Sequence, residues 1–116
     1  MACPYWNLEI PRCTPPGAPV KLRKGIKTGR IAEIHVNLPA GCAGLVGVQI
    51  YHREHIIAPT DKGEWIKGDD EMWPWILDYV MYGGGNYISL VGYNLDDSHD
   101  HTVEIAISLL PRRGWR

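Results

Sequence analysis

The densest concentration of metal-type side chains in the chain is the run Asp96-Asp97-Ser98-His99-Asp100-His101. Carboxylate oxygens so close together suit calcium, and carboxylate mixed with imidazole suits zinc or manganese, so Asp96, Asp97, His99 and His101 form a candidate metal set. The run lacks the spaced oxygens and terminal Glu of an EF-hand loop, whereas Asp, Asn and Ser are the ordinary residues of turns. A solvated turn is the preferred reading, and no metal or other cofactor is expected.

Aromatic residues make the second cluster. Trp73, Trp75 and Tyr79 alternate along one stretch, with Tyr82 just beyond, and rings on alternate positions of a strand face could stack on sugar rings. The same row suits a core first and a subunit contact second, since buried cores and interfaces both favour Trp and Tyr, with a sugar platform third. Asp69-Asp70-Glu71 contains carboxylates of the kind glycosidases pair across a cleft, but a charged turn is the simpler assignment. His35, His52 and His55 are read as polar positions at strand ends. Gly83-Gly84-Gly85 lacks the lysine of a phosphate loop, and Cys42, Ser89, Ser98 and Ser108 lack any local nucleophile motif. No catalytic residue is assigned, and the chain is expected not to be an enzyme.

The elements that must position these groups read as strands. Thr102 to Leu109 alternates cleanly, with Val103, Ile105, Ile107 and Leu109 on one side, and Tyr87 to Tyr93 precedes it, so the two are expected to form a ribbon around the Asp/His loop. Arg30 to Leu38 alternates with Ala32, Ile34, Val36 and Leu38 on the expected inner face. Leu45 to His52 places Val46, Val48 and Ile50 together. Val20 to Lys27 carries the Lys and Arg residues that keep an exposed edge strand from pairing with other chains. Met72 to Tyr82 fits a strand or a helical stripe; Pro74 and the Trp, Tyr and Val content favour the strand. Short strands with Gly/Pro-rich turns predict an all-β fold, a single antiparallel β-sandwich of jelly-roll or immunoglobulin-like kind.

The chain has 116 residues, 45% of them hydrophobic and 22% charged, which fits one folded domain. Residues 1–19 hold five of the nine prolines and are expected to be an extended arm lying on the domain or on a neighbouring subunit. Residues 20–111 are expected to be the sandwich and 112–116 a basic tail. A formal charge of −1 argues against nucleic-acid binding, and no apolar run suggests a membrane span. The N-terminus lacks the order of a secretory signal, so synthesis in the cytoplasm is expected. Cys3, Cys13 and Cys42 have no metal-ligand spacing; free thiols are preferred, with a Cys3–Cys13 bridge open.

The segments Asn37-Leu38-Pro39-Ala40-Gly41-Cys42-Ala43-Gly44-Leu45, Gly92-Tyr93-Asn94-Leu95-Asp96-Asp97, His101-Thr102-Val103 and Leu109-Leu110-Pro111 occur in an order that resembles small β-sandwich structural proteins of tailed bacteriophages. The resemblance spans about residues 31 to 111. It implies a capsid-decorating or tail-associated part of the virion, a homo-oligomer docked on a larger protein assembly. It supplies no catalytic residue. Tyr5, Trp6, Ile10, Arg112, Arg113 and Trp115 are the expected contact residues, and a carbohydrate-binding module using Trp73, Trp75 and Tyr79 is the alternative.

Overall fold

The computed structural model describes residues 4–42, 44–59 and 63–110. Nine strands follow in chain order: β1 (Tyr5–Ile10), β2 (Val20–Gly25), β3 (Arg30–Leu38), β4 (Val46–His52), β5 (His55–Ala58), β6 (Ile66–Lys67), β7 (Glu71–Val80), β8 (Tyr87–Asn94) and β9 (His101–Leu110). There is no helix among the described residues. One sheet has the order β1-β9-β3-β7 and the other β2-β8-β4-β5, with β6 also pairing with β4, and the strand pairs are antiparallel. The chain is therefore an antiparallel β-sandwich.

The pairs β1·β9, β2·β8, β3·β7 and β4·β5 are those of one long hairpin with its tip between β4 and β5. Rolling that hairpin up adds the lateral pairs β9·β3 and β8·β4, and the chain alternates between the sheets as it winds. This is jelly-roll winding, in which the first and last strands pair, rather than the A-B-E-D and C-F-G sheets of an immunoglobulin domain.

Alternation explains which residues enter the core. Leu8 and Ile10 of β1, Ile34, Val36 and Leu38 of β3, Val46, Val48 and Ile50 of β4, Ile88 and Leu90 of β8, and Val103, Ile105 and Ile107 of β9 are all at most 1% exposed. Each such side chain contributes about 1.5–3 kcal/mol relative to staying in water. Gly92 keeps its place in this layer because it has no side chain: a Cβ there would lie 2.5 Å from the Ile10 Cδ1 of the opposite sheet. The basic strand expected at Val20 to Lys27 is β2, at the edge of the five-stranded sheet, and Met72 to Tyr82 supplies β7, a strand.

Three expectations change. Tyr87 to Tyr93 and Thr102 to Leu109 are strands but not partners: β8 lies in one sheet and β9 in the other, so residues 95–100 cross between sheets instead of closing a ribbon. The two strands bury their apolar faces across the core rather than side by side. In β3 the register shifts between Ile31 and Glu33, so a bulge reverses the alternation. Ile31 is buried while Ala32 is not, and Ile34 onward follows the expected phase.

The third change concerns the arm. Residues 5–10 are a strand of the domain, paired over six positions with β9, and the described part of the arm leaves that strand to cross to β2 through the proline-rich residues 11–19. Leu8 and Ile10 are core, so the sandwich begins well before residue 20. Residues 112–116 lie outside the described residues.

Winding gathers the connections into two groups. At one end, Cys13 N donates to Asp96 O (2.9 Å), Leu95 N to Leu45 O (2.9 Å) and Asp70 N to Pro39 O (3.3 Å), tying together the loops before β2, β4, β7 and β9. At the other, Ile26 N donates to Asn86 O (3.0 Å) and Arg53 N to Tyr87 O (3.2 Å).

Candidate functional site

The outer face of the five-stranded sheet carries a concavity of about 380 Å³. Strand alternation builds its floor. With Val48 and Ile50 turned inward, β4 presents Gln49 and Tyr51; β8 presents Tyr87, Ser89 and Val91; and β2 presents Lys21 and Arg23. Register sets them in rows, Lys21–Val91–Gln49 and Arg23–Ser89–Tyr51 across β2, β8 and β4. The rim comes from loops: Pro16 and Pro19 before β2, Arg53 and Glu54 between β4 and β5, and Trp65 before β6.

Several of the floor and rim groups are held in place. Gly47 has no side chain, and Tyr93 fills that space, since a Cβ there would meet its ring at 2.2 Å. Trp65 meets the Tyr93 ring edge-on, with centroids 4.7 Å apart. Gln49, 94% buried, donates Nε2–H to Glu64 O (2.7 Å) and accepts at Oε1 from the Tyr51 hydroxyl (3.1 Å). The Arg23 guanidinium lies 4.2 Å from the centre of the Tyr87 ring, a cation–π contact that sets both side chains. Arg53 donates to Gly84 O (3.0 Å). Three cations, Lys21, Arg23 and Arg53, thus face the concavity against one carboxylate, Glu54. In the sequence Lys21 and Arg23 signal edge protection, Ser89 is only an unsupported nucleophile, and Gln49, Tyr51, Arg53, Trp65 and Tyr87 stand in no motif. The available signal was the polar face of each strand, Lys21/Arg23 and Gln49/Tyr51, whose convergence depends on strand order.

The Asp/His loop has the chemistry of a turn. Asp96 Oδ1 accepts from Ser98 N (2.8 Å) and His99 N (3.3 Å), and Oδ2 accepts from His101 Nε2–H (3.0 Å). The Ser98 N–H first, then the His101 side chain and more weakly His99, hold the Asp96 carboxyl below its ordinary range. Asp97 accepts from the Ser98 hydroxyl (3.0 Å). Asp100 is engaged by Arg12, through its backbone N–H (2.8 Å) and Nε (3.1 Å), and is likewise lowered. Among the described residues no three His, Cys, Asp or Glu side chains converge as a metal site.

This loop makes a pH prediction. A carboxyl whose folded-state pKa is lowered adds stability above its unfolded pKa and loses it as pH falls through the folded one. The melting-temperature advantage of the native chain over Asp96→Ala should hold near neutral pH and narrow once pH drops below the ordinary value of 3.8. Thermal melts from about pH 7 to about pH 3 check it; an advantage independent of pH would refute it.

The aromatic row does not form a flat, open platform. Trp75 and Tyr79 are partly buried against the core, so the two exposed rings, Trp73 and Tyr82, are not joined by open ring surface. Burial pushes the Tyr79 hydroxyl pKa up, with Arg53 opposing. Tyr79 donates to His52 Nδ1 (2.8 Å) and stacks on His55 (centroids 5.9 Å apart). Asn86 Nδ2 donates to Thr28 Oγ1 (2.8 Å), which leaves Asn86 Oδ1 to accept from His52 and places a ring proton on Nε2 (2.8 Å). His52 and His55 thus meet one ring, while His35 pairs with Glu33 (2.9 Å) on the other sheet. Asp69 accepts from Gly41 N (2.8 Å), as turn residues do. The buried Cys42 thiol is pushed up to about 11 by desolvation first and by Asp69 and Asp96 second, so it is a poor nucleophile. Cys13 is exposed and free, and Cys3 lies outside the described residues.

Of the expected contact residues, Tyr5 is exposed and donates its hydroxyl to Glu104, while Trp6 packs partly against the core. Ile10 is fully buried and has no surface to offer a partner. Arg112, Arg113 and Trp115 lie outside the described residues.

Fold and face together define a jelly-roll β-sandwich with a basic, aromatic-walled concavity on one sheet. No protein-family model matches the chain, and no curated protein matches it.

Proposed function

We propose that this chain is a non-enzymatic structural protein of a virus particle, a capsid-decorating or tail-associated sandwich that acts by self-association and by docking on a larger assembly. The observation that carries the reading is strand β7. It is ten residues long and lies at the edge of the four-stranded sheet, with Met72 58% and Ile76 80% exposed on its outer side. A long edge with apolar side chains in water is a surface that associates with another chain. Pro74 interrupts its hydrogen-bonding, which favours side-chain docking over endless strand addition. The winding adds support, since jelly rolls are a common architecture of capsid domains. The virion as location and the larger assembly as partner belong to this same proposal.

Size-exclusion chromatography with light scattering tests it. The native chain is expected to form a closed oligomer and Ile76→Asp a monomer with an unchanged melting temperature. A native chain that stays monomeric at every concentration would overturn the reading.

A further inference from the structure

We propose that the concavity on the outer face of the five-stranded sheet binds an acidic saccharide, a sugar ring bearing a carboxylate, through Lys21, Arg23 and Arg53. It uses the opposite sheet from β7 and stands or falls independently of the docking role.

Size and lining fit a small-molecule site. About 380 Å³ lies in the range of ligand pockets, and the lining combines ring surface with a few polar groups. Tyr51 and Trp65 supply amphipathic ring surface against which the C–H faces of a sugar can pack, while the Tyr87 ring carries the Arg23 guanidinium. Gln49 and Ser89 on the floor address hydroxyls. Gln49 Nε2 keeps one N–H beyond the bond to Glu64 O, and the Tyr51 oxygen, having donated its proton to Gln49, keeps its acceptor lone pairs. Because both side chains are already fixed by each other, little ordering is needed on binding.

Charge selects among sugars. Three cations against Glu54 leave the concavity positive although the whole chain is formally −1, so the excess is local. Guanidinium groups match planar carboxylates with paired hydrogen bonds, and Arg53 stands at the rim beside the half-buried Tyr51. A nucleic acid is a poorer match, because its backbone calls for a cationic track longer than these three side chains. An acidic peptide shares the charge but makes less use of hydroxyl-directed groups on a floor.

A glycan array carrying uronic and sialic acid oligosaccharides beside their neutral counterparts tests the class, followed by calorimetry with the best acidic oligosaccharide. Binding should be at least about tenfold tighter for the acidic member of a pair. Lys21→Glu and Arg23→Gln, both on an exposed edge strand, should each weaken it by about tenfold or more with the melting temperature preserved. Tyr51→Phe, which removes a hydroxyl and keeps the ring, should weaken binding more modestly. Equal binding of neutral counterparts, no acidic sugar bound, insensitivity to Lys21→Glu, or a poly-glutamate peptide bound as tightly would each overturn the proposal.

Discussion

Ile10→Ala is expected to destabilise the domain by about 2–5 kcal/mol, the usual cost of truncating a fully buried aliphatic side chain. Ile10 is 0% exposed, and its Cδ1 lies against the backbone of Gly92 in the opposite sheet, so shortening it opens a gap between layers that the strand backbones cannot close. Leu8 sits beside it at 1% exposure and should behave similarly. A protein of this size is commonly stable by only about 5–15 kcal/mol, so deleting β1, which takes both residues and a six-position ladder with β9, should unfold it. Urea denaturation checks the point substitution: the midpoint should fall with an unchanged slope, and Asn7→Ala on the solvent side of the same strand should shift it little. A loss below about 0.5 kcal/mol for Ile10→Ala would show that β1 is not seated on the core in solution.

Strand period tells which residues share a face, and this much was legible. The alternation of Val103, Ile105, Ile107 and Leu109 survives intact as the inner face of β9, and the lysines and arginines of β2 do mark an edge. Period does not tell which strand lies beside which. Tyr87 to Tyr93 and Thr102 to Leu109 looked like one hairpin because they are close in sequence, yet jelly-roll winding separates neighbours into opposite sheets. The same limit hid the concavity, whose residues come from β2, β4, β8 and three loops and meet only after the hairpin is rolled. The bulge at Ala32 was invisible for a different reason: it shifts phase without any Gly or Pro to announce it. Trp6, Leu8 and Ile10 alternate as a strand would, but five nearby prolines outweigh that short pattern. Those prolines in fact flank the strand on both sides, with none from Tyr5 to Ile10.

The loop cluster between β8 and β9 is held by turn-type hydrogen bonds, but its keystone is a residue that carried no such weight in the sequence. Asn94 is fully buried at the end of β8. Its Nδ2 donates to Ile10 O (3.1 Å) and His99 O (3.0 Å), and its Oδ1 accepts from Asp96 N (2.9 Å), while its backbone exchanges both hydrogen bonds with Thr14 (2.8 Å each). One side chain therefore ties the end of β1, the proline-rich crossing and the Asp/His loop to the five-stranded sheet. Asn94→Asp keeps the shape and the acceptor but turns a carboxylate toward two carbonyl oxygens. At pH 7 this should cost about 3–5 kcal/mol, the range for an uncompensated buried charge. Burial raises the folded-state pKa of the new carboxyl above its unfolded value of about 3.9, so the charge-dependent part of the deficit is full above the raised value. It should shrink as pH falls toward about 4, where the neutral acid can donate to one of the two carbonyls. Asn94→Ala lacks that titration: it should lose about 1–3 kcal/mol for the orphaned groups over the same interval, with no narrowing peculiar to the variant. Chemical denaturation of the three proteins at several pH values separates the cases, and parallel curves for Asn94→Asp and Asn94→Ala would show that the carbonyls of Ile10 and His99 find other donors.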